Sequence, residues 1–107
     1  MSDRVKRNLP MLRMLCGAKP SMIKAVLNGA SPDLIHSLSE CSLNILKGRV
    51  KLTPAQKKQL SRYKYNLRAL ADKRTTVKKR KQILQRGGFI GALLKPVLSV
   101  LGGLFNL

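Results

Sequence analysis

The sequence predicts an all-α fold, a small helical bundle or hairpin with a basic helix and an apolar C-terminal helix. Three observations carry that expectation. Apolar residues recur at a 3.6-residue spacing in several segments, and no segment shows the period-two alternation of a strand. Pro10, Pro20, Pro32 and Pro54 each stand where a helix would begin. Proline suits the first turn, where its missing N–H would be unpaired anyway. Gly17, Gly29 and Gly48 follow the apolar runs, as helix-ending glycines do. The 107 residues suit one domain, or a small domain with tails. No repeat of solenoid period is present.

Taken in order, residues 8–16 read as a short helix capped by Asn8, and residues 20–28 as another, with Met22, Ile23, Val26 and Leu27 on one face. Residues 31–47 give a stronger pattern. Ser31 caps, Pro32 opens and Asp33 complements the helix dipole. Leu34, Ile35, Leu38, Cys41, Ile45 and Leu46 form a regular stripe. Residues 53–72 read as one long helix, begun by Thr53-Pro54 and carrying Leu60, Tyr63, Leu67, Leu70 and Ala71 on its apolar face. The GRVKL link is short enough for these two helices to form a hairpin. Tyr63 and Tyr65 lie about 200° apart on a helix, so Tyr63 is expected in the core and Tyr65 partly exposed. Residues 74–86 read as a second basic helix, capped by Thr75 or Thr76, with only Val77, Ile83 and Leu84 as apolar anchors. Lys78 to Lys81 spread charge around it, so it is expected to form fully only on a polyanion.

The charge distribution divides the chain into three segments. The net charge is +18, with His36 neutral. Residues 1–46 form a helical N-terminal region, with six basic residues against three acids. Residues 47–86 form the basic helical region, with fifteen basic residues against Asp72 alone. Residues 87–107 form an apolar tail whose single charge is Lys95. Such asymmetry points to nucleic acid or an anionic membrane as partner. The 44% apolar content excludes a plain disordered basic tail. With two Tyr, two Phe and no Trp, a stacking platform for single-stranded bases is not expected, so duplex DNA is the favoured nucleic acid.

Catalysis is not expected. Four acids, one histidine and two cysteines offer no carboxylate pair, metal-ligand cluster or nucleophile–base arrangement. No cofactor or metal is expected. Cys16 and Cys41 stand apart from any CxxC spacing and read as small core residues. His36, on the polar side of its helix, reads as a surface residue. No secretory signal is expected, because the apolar stretch after the N-terminus is short and broken by Pro10 and Arg13.

The candidate nucleic-acid-binding residues are therefore Lys47, Arg49, Lys51, Lys57, Lys58, Arg62, Lys64, Arg68, Lys73, Arg74, Lys78, Lys79, Arg80, Lys81 and Arg86. Cations this dense bind phosphate by counterion release and carry no base-specific reading head. The KKRK run at 78–81 is also compatible with nuclear import. In the tail, Phe89, Ile90, Leu93, Leu94, Val97, Leu98, Leu101, Leu104 and Phe105 share one wide helical face. Three roles are open to that face: packing or self-association, membrane-surface binding, or a spanning anchor. Gly87-Gly88 reads as a hinge between the basic helix and the tail.

The stretches LTPAQKKQLSRYKYNLRALADK and QRGGFIGALLKP, within a layout covering about residues 8–105, resemble small basic proteins of adintovirus or Polinton-type elements. Those are similar to the adenovirus virion core protein called X or mu. The resemblance implies a virion core component that condenses packaged double-stranded DNA, set in the virion core and host nucleus. It implies contact with capsid proteins, or with further copies of the chain, through the tail. It also implies a maturation-protease site at Gly87, Gly88 and Phe89, preceded by Gln85-Arg86, with a weaker match at Val100-Leu101-Gly102-Gly103. The nearly neutral residues 20–46 and the parity of Lys with Arg depart from the short, Arg-rich mu peptide.

Overall fold

A helix as apolar as FIGALLKPVLSVL must be covered if the chain is to avoid presenting a wide apolar face to water. In the computed structural model, described over residues 2–101, that covering organises the whole molecule. Eight helices are present among the described residues: α1 (Asp3–Arg7), α2 (Leu9–Cys16), α3 (Pro20–Asn28), α4 (Pro32–Leu46), α5 (Pro54–Ser61), α6 (Lys64–Ala71), α7 (Val77–Leu84) and α8 (Phe89–Leu101). No strand occurs among these residues. The all-α expectation holds. Helix α8 packs on α2, α4 and α5, and α4 packs on α1, α6, α7 and α8. All three charge segments of the chain thus contribute to one core.

Local signals set most boundaries. Ser31, Thr53 and Thr76 each accept from the third backbone N–H of the following helix. Thr53 and Gln56 form a reciprocal capping box. Helix α4 ends in a Schellman motif. Gly48 donates to Ile45 O at 3.1 Å, and Arg49 to Asn44 O at 2.9 Å. The motif needs a residue in the left-handed region, and Gly48 supplies φ 71°.

Four features depart from the sequence reading. Helix α1 was not expected. Five residues are too few to be helical alone. Val5, with no exposure, anchors α1 in the core, and Asn8 ties it to α4. That use of Asn8 also explains why it makes no side-chain cap for α2. Its Nδ2 lies 2.9 Å from Asp33 Oδ2 and 2.8 Å from Ser37 Oγ.

Helix α4 is covered on more than its apolar stripe. Ser37 and Ser42 are fully buried, and Ser39 nearly so, because small side chains let neighbouring helices approach. Their hydroxyls are satisfied. Ser37 donates to Asp33 O at 2.9 Å, Ser39 to Ile35 O at 3.1 Å, and Ser42 across to Leu67 O on α6 at 2.7 Å. The α4–α6 pairing is the expected hairpin. Leu46, by contrast, is exposed, as is Met22 on α3.

The expected single helix over 53–72 is two helices. A straight one would run about 30 Å at 1.5 Å per residue, against a longest molecular dimension of 33 Å. The break at Arg62–Tyr63 lets α5 lie on α8 while α6 lies on α4. Neither proline nor glycine marks it. Tyr63 N bonds instead to Leu60 O at 2.9 Å, a tightened final turn.

The tail is an internal helix. Phe89, Ile90, Leu93, Leu94 and Val97 are at most 1% exposed, Leu101 is buried and Leu98 is partly so. The sequence leaves three roles open to this face: packing or self-association, membrane-surface binding, and a spanning anchor. The structure spends that face on the chain's own core, and the packing role is the one observed. Leu104, Phe105 and the Gly102-Gly103 pair lie outside the described residues. Helices α7 and α8 meet at 91°. Gly88 makes that corner at φ 78°.

Two stability effects follow. Leu94→Ala, at a fully buried position, should cost about 2–5 kcal/mol in urea unfolding. Gly88→Ala should cost about 1–3 kcal/mol, because φ is positive and the added Cβ would stand 2.9 Å from Tyr63 Oη. Combining Gly88→Ala with Tyr63→Phe should recover part of that loss.

Candidate polyanion-binding surface

A basic side chain contributes to a phosphate-binding surface only if it reaches solvent and is not neutralised by a carboxylate. Of the fifteen candidate cations, thirteen are exposed, Lys81 is half-buried and Arg80 is buried. Lys57 and Lys58 lie on α5, and Arg62 lies at the break. Lys64 and Arg68 stand one turn apart on one face of α6. Lys73 and Arg74 occupy the α6–α7 loop, and Lys78 and Lys79 the outer side of α7. Lys47, Arg49 and Lys51 extend the surface across the α4–α5 link.

Three of the four acids are already engaged. Asp33 receives Arg4 Nε at 3.2 Å and Arg7 Nη2 at 3.4 Å. The hydrogen bond from Asn8, then these two guanidinium groups, hold its carboxyl below the usual range. Glu40 accepts from Ser2. Asp72 is the one acid between residues 47 and 86. It grips Arg74 through three contacts, accepting from the side chain at 3.2 and 3.0 Å and from the backbone N–H at 2.9 Å. That hydrogen bonding lowers the Asp72 carboxyl and raises Arg74. Arg74 is still 91% exposed at its side chain and stays open to solvent.

Arg86 is held differently. Its Nη1 donates to Asn66 Oδ1 at 2.6 Å, and its guanidinium lies 5.1 Å from the Tyr63 ring centroid. The Tyr63 ring also packs 5.4 Å from Phe89, and its hydroxyl donates to Gly87 O at 3.0 Å. Tyr63 is therefore half-buried and fixed, which pre-orients Arg86 at low entropy cost. Sequence reading missed Asn66 and this use of Tyr63. Twenty or more residues separate them from Arg86, so no local pattern signals the contact. Tyr65 is 74% exposed, with Lys64 Nζ 5.6 Å from its ring centroid.

The largest correction concerns α7. One of its four consecutive cations is turned into the protein. Arg80, Ile83 and Leu84 face inward and are buried, and the helix docks on α3, α4 and α6. Lys81 Nζ reaches Asn28 O on α3 at 3.4 Å. Arg80 meets His36, which is consequently half-buried and not the surface residue expected.

At the candidate cleavage site, Gly87 and Gly88 are exposed but Phe89 has no exposure. A protease reaching the bond between Gly88 and Phe89 would have to draw the first turn of α8 from the core. No single helix among the described residues is long and apolar enough to cross a membrane. No group of three His, Cys, Asp or Glu stands at metal-holding spacing among them. A cleft of about 540 Å³ lies between Lys51–Gln56 and Ser99–Val100, and no titratable pair lines it. No protein-family model, curated protein or solved structure matches the chain.

The two thiols give a direct check on this packing. Burial, with Glu40's charge adding to it, pushes Cys41 up to about 12. Burial also raises Cys16, partly offset by Lys95. At pH 8 the thiolate fraction of Cys41 is then on the order of 10⁻⁴. An aromatic disulfide reagent should titrate Cys16 first, and Cys41 only once denaturant unfolds the chain.

Proposed function

We propose that this protein is a non-enzymatic packaging protein that binds and condenses double-stranded DNA through phosphate contacts that ignore base sequence. The observation that carries the reading is the surface itself. Thirteen exposed cations from residues 47–86 stand around one acid, on helices fixed by a shared core. Each cation that meets a phosphate releases a condensed counterion, which drives binding at low salt. Separate elements present the charge: α5 against α8, α6 against α4, and α7 against α3. Cations on several elements suit contact with more than one duplex segment. The family resemblance supports a virion core and host-nucleus setting.

A membrane-active or tail-anchored protein is the rival reading. Its motivation was the apolar stripe of residues 88–107, and the described part of that stripe is buried. Among the described residues only the bent pair α7 and α8 taken together reaches the length and apolarity of a span, and the apolar face of α8 is already covered by the core.

Duplex binding should weaken steeply with salt, with log K against log[salt] falling at about −5 to −8 if roughly six to nine phosphates are neutralised. Duplexes of unrelated sequence should give the same slope and closely similar affinity. A binding constant that barely moves between 50 and 300 mM salt (roughly the range over which counterion release dominates) would remove the proposal. Replacing both Lys64 and Arg68 by Gln should flatten the slope by about 2 without altering the fold.

A further inference from the structure

A buried cation without a carboxylate partner is costly to dock, so the groups that hold it decide whether its helix stays docked. Arg80 is 5% exposed. Its Nη2 donates to the Asp72 carbonyl oxygen at 2.9 Å, and its Nε is buried with no partner. Its Nη1 lies 3.1 Å from His36 Nδ1 on α4. A guanidinium has only N–H donors. His36 Nδ1 must therefore accept, and the imidazole in this contact is neutral with its proton on Nε2.

Protonating His36 replaces that acceptor with an N–H and sets two cations face to face. The surrounding charges do not cancel this. Asp33 and Glu40 stand one turn either side of His36 on α4, a spacing of about 6 Å, and both are engaged by α1 or by Ser2. Asp72 carries Arg74 and its charge also acts on Arg80, more weakly than on Arg74. Of the other charged side chains on the packed elements, Asp3 on α1 is an acid, and the rest are cations: Arg4, Lys6 and Arg7 on α1, Lys24 on α3, Lys64 and Arg68 on α6, Lys73 in the loop, Lys95 on α8 and the lysines of α7. Coulomb repulsion scales inversely with distance, so the 3.1 Å neighbour dominates.

We propose that the Arg80–His36 contact is a pH latch. With His36 neutral it holds α7 against α4. With His36 protonated α7 is released, and Arg80 joins the solvent-facing lysines of that helix. A protonated Nδ1 cannot accept from Arg80, so protonation of His36 opposes docking, and docking weakens as pH falls. Helix α7 is suited to this. It has eight residues, too few to persist alone, and its fully buried apolar anchors are Ile83 and Leu84. His36 is the only histidine in the chain, and histidine is the side chain whose charge ordinarily changes between pH 5 and 8. The latch does not depend on the DNA-binding reading.

Amide hydrogen exchange on the full chain, with no polyanion present, tests it. After correction for intrinsic exchange, residues 80–84 of the wild type should lose about tenfold protection between pH 7 and pH 5.5, relative to Leu38 of α4. His36→Gln offers an uncharged acceptor at every pH and should abolish the change. Arg80→Met removes the cation, fills the site with apolar volume, and should abolish it as well. Should His36→Gln fail to fold, Arg80→Met carries the same comparison. Equal protection at both pH values in the wild type, or an undiminished loss in a folded variant, overturns the latch.

Discussion

Everything in this structure depends on the burial of α8. A chain of net charge +18 repels itself, and that repulsion opposes any compact state. Compactness requires an opposing term of comparable reach, and α8 provides it. Eight of its thirteen residues are buried, against helices drawn from both other segments of the chain. The hydrophobic term is insensitive to the sign of surface charge. It can therefore hold together a surface that electrostatics alone would disperse. The most apolar and the most basic parts of the chain are adjacent in sequence because each is usable only with the other.

Helix α4 is the second centre. Its stripe of Leu34, Ile35, Leu38, Cys41 and Ile45 is the conventional buried face. Ser37, Ser39 and Ser42 extend burial around the helix without leaving polar atoms unpaired, since each hydroxyl finds a backbone carbonyl. Small, self-satisfied residues let α1 and α6 approach closely. The same helix carries His36 to Arg80, so one element connects the core to the least secure part of the basic surface.

The distribution of carboxylates shapes the electrostatics as much as the cations do. Asp33 and Glu40 fasten the N-terminal segment onto α4, and Asp72 fastens the α6–α7 loop. These three acids are committed to internal contacts and Asp3 lies on α1, so Asp72 is the one carboxylate within the segment that carries α5, α6 and α7. Cations fixed on docked helices surrender less conformational freedom on meeting phosphate than cations on a disordered tail. Arg86, held by Tyr63 and Asn66, is the clearest case.

The sequence by itself determined the helical class, two helix starts through Ser31 and Thr53, a third narrowed to Thr75 or Thr76, the end of α4 at Gly48, and the set of basic residues. Those features are local, fixed by a capping oxygen, a proline or glycine, or composition. It did not determine the break at Arg62–Tyr63, the existence of α1, the inward turn of Arg80, or the fate of the apolar tail. Each of these depends on a partner far along the chain: α8 for the break, α4 for α1 and Arg80, and α2, α4 and α5 for the tail. A wide apolar face looks the same in sequence whether it meets lipid, another copy or its own core. Only the tertiary structure shows which surface covers it, because burial is a property of neighbours and not of the residues buried.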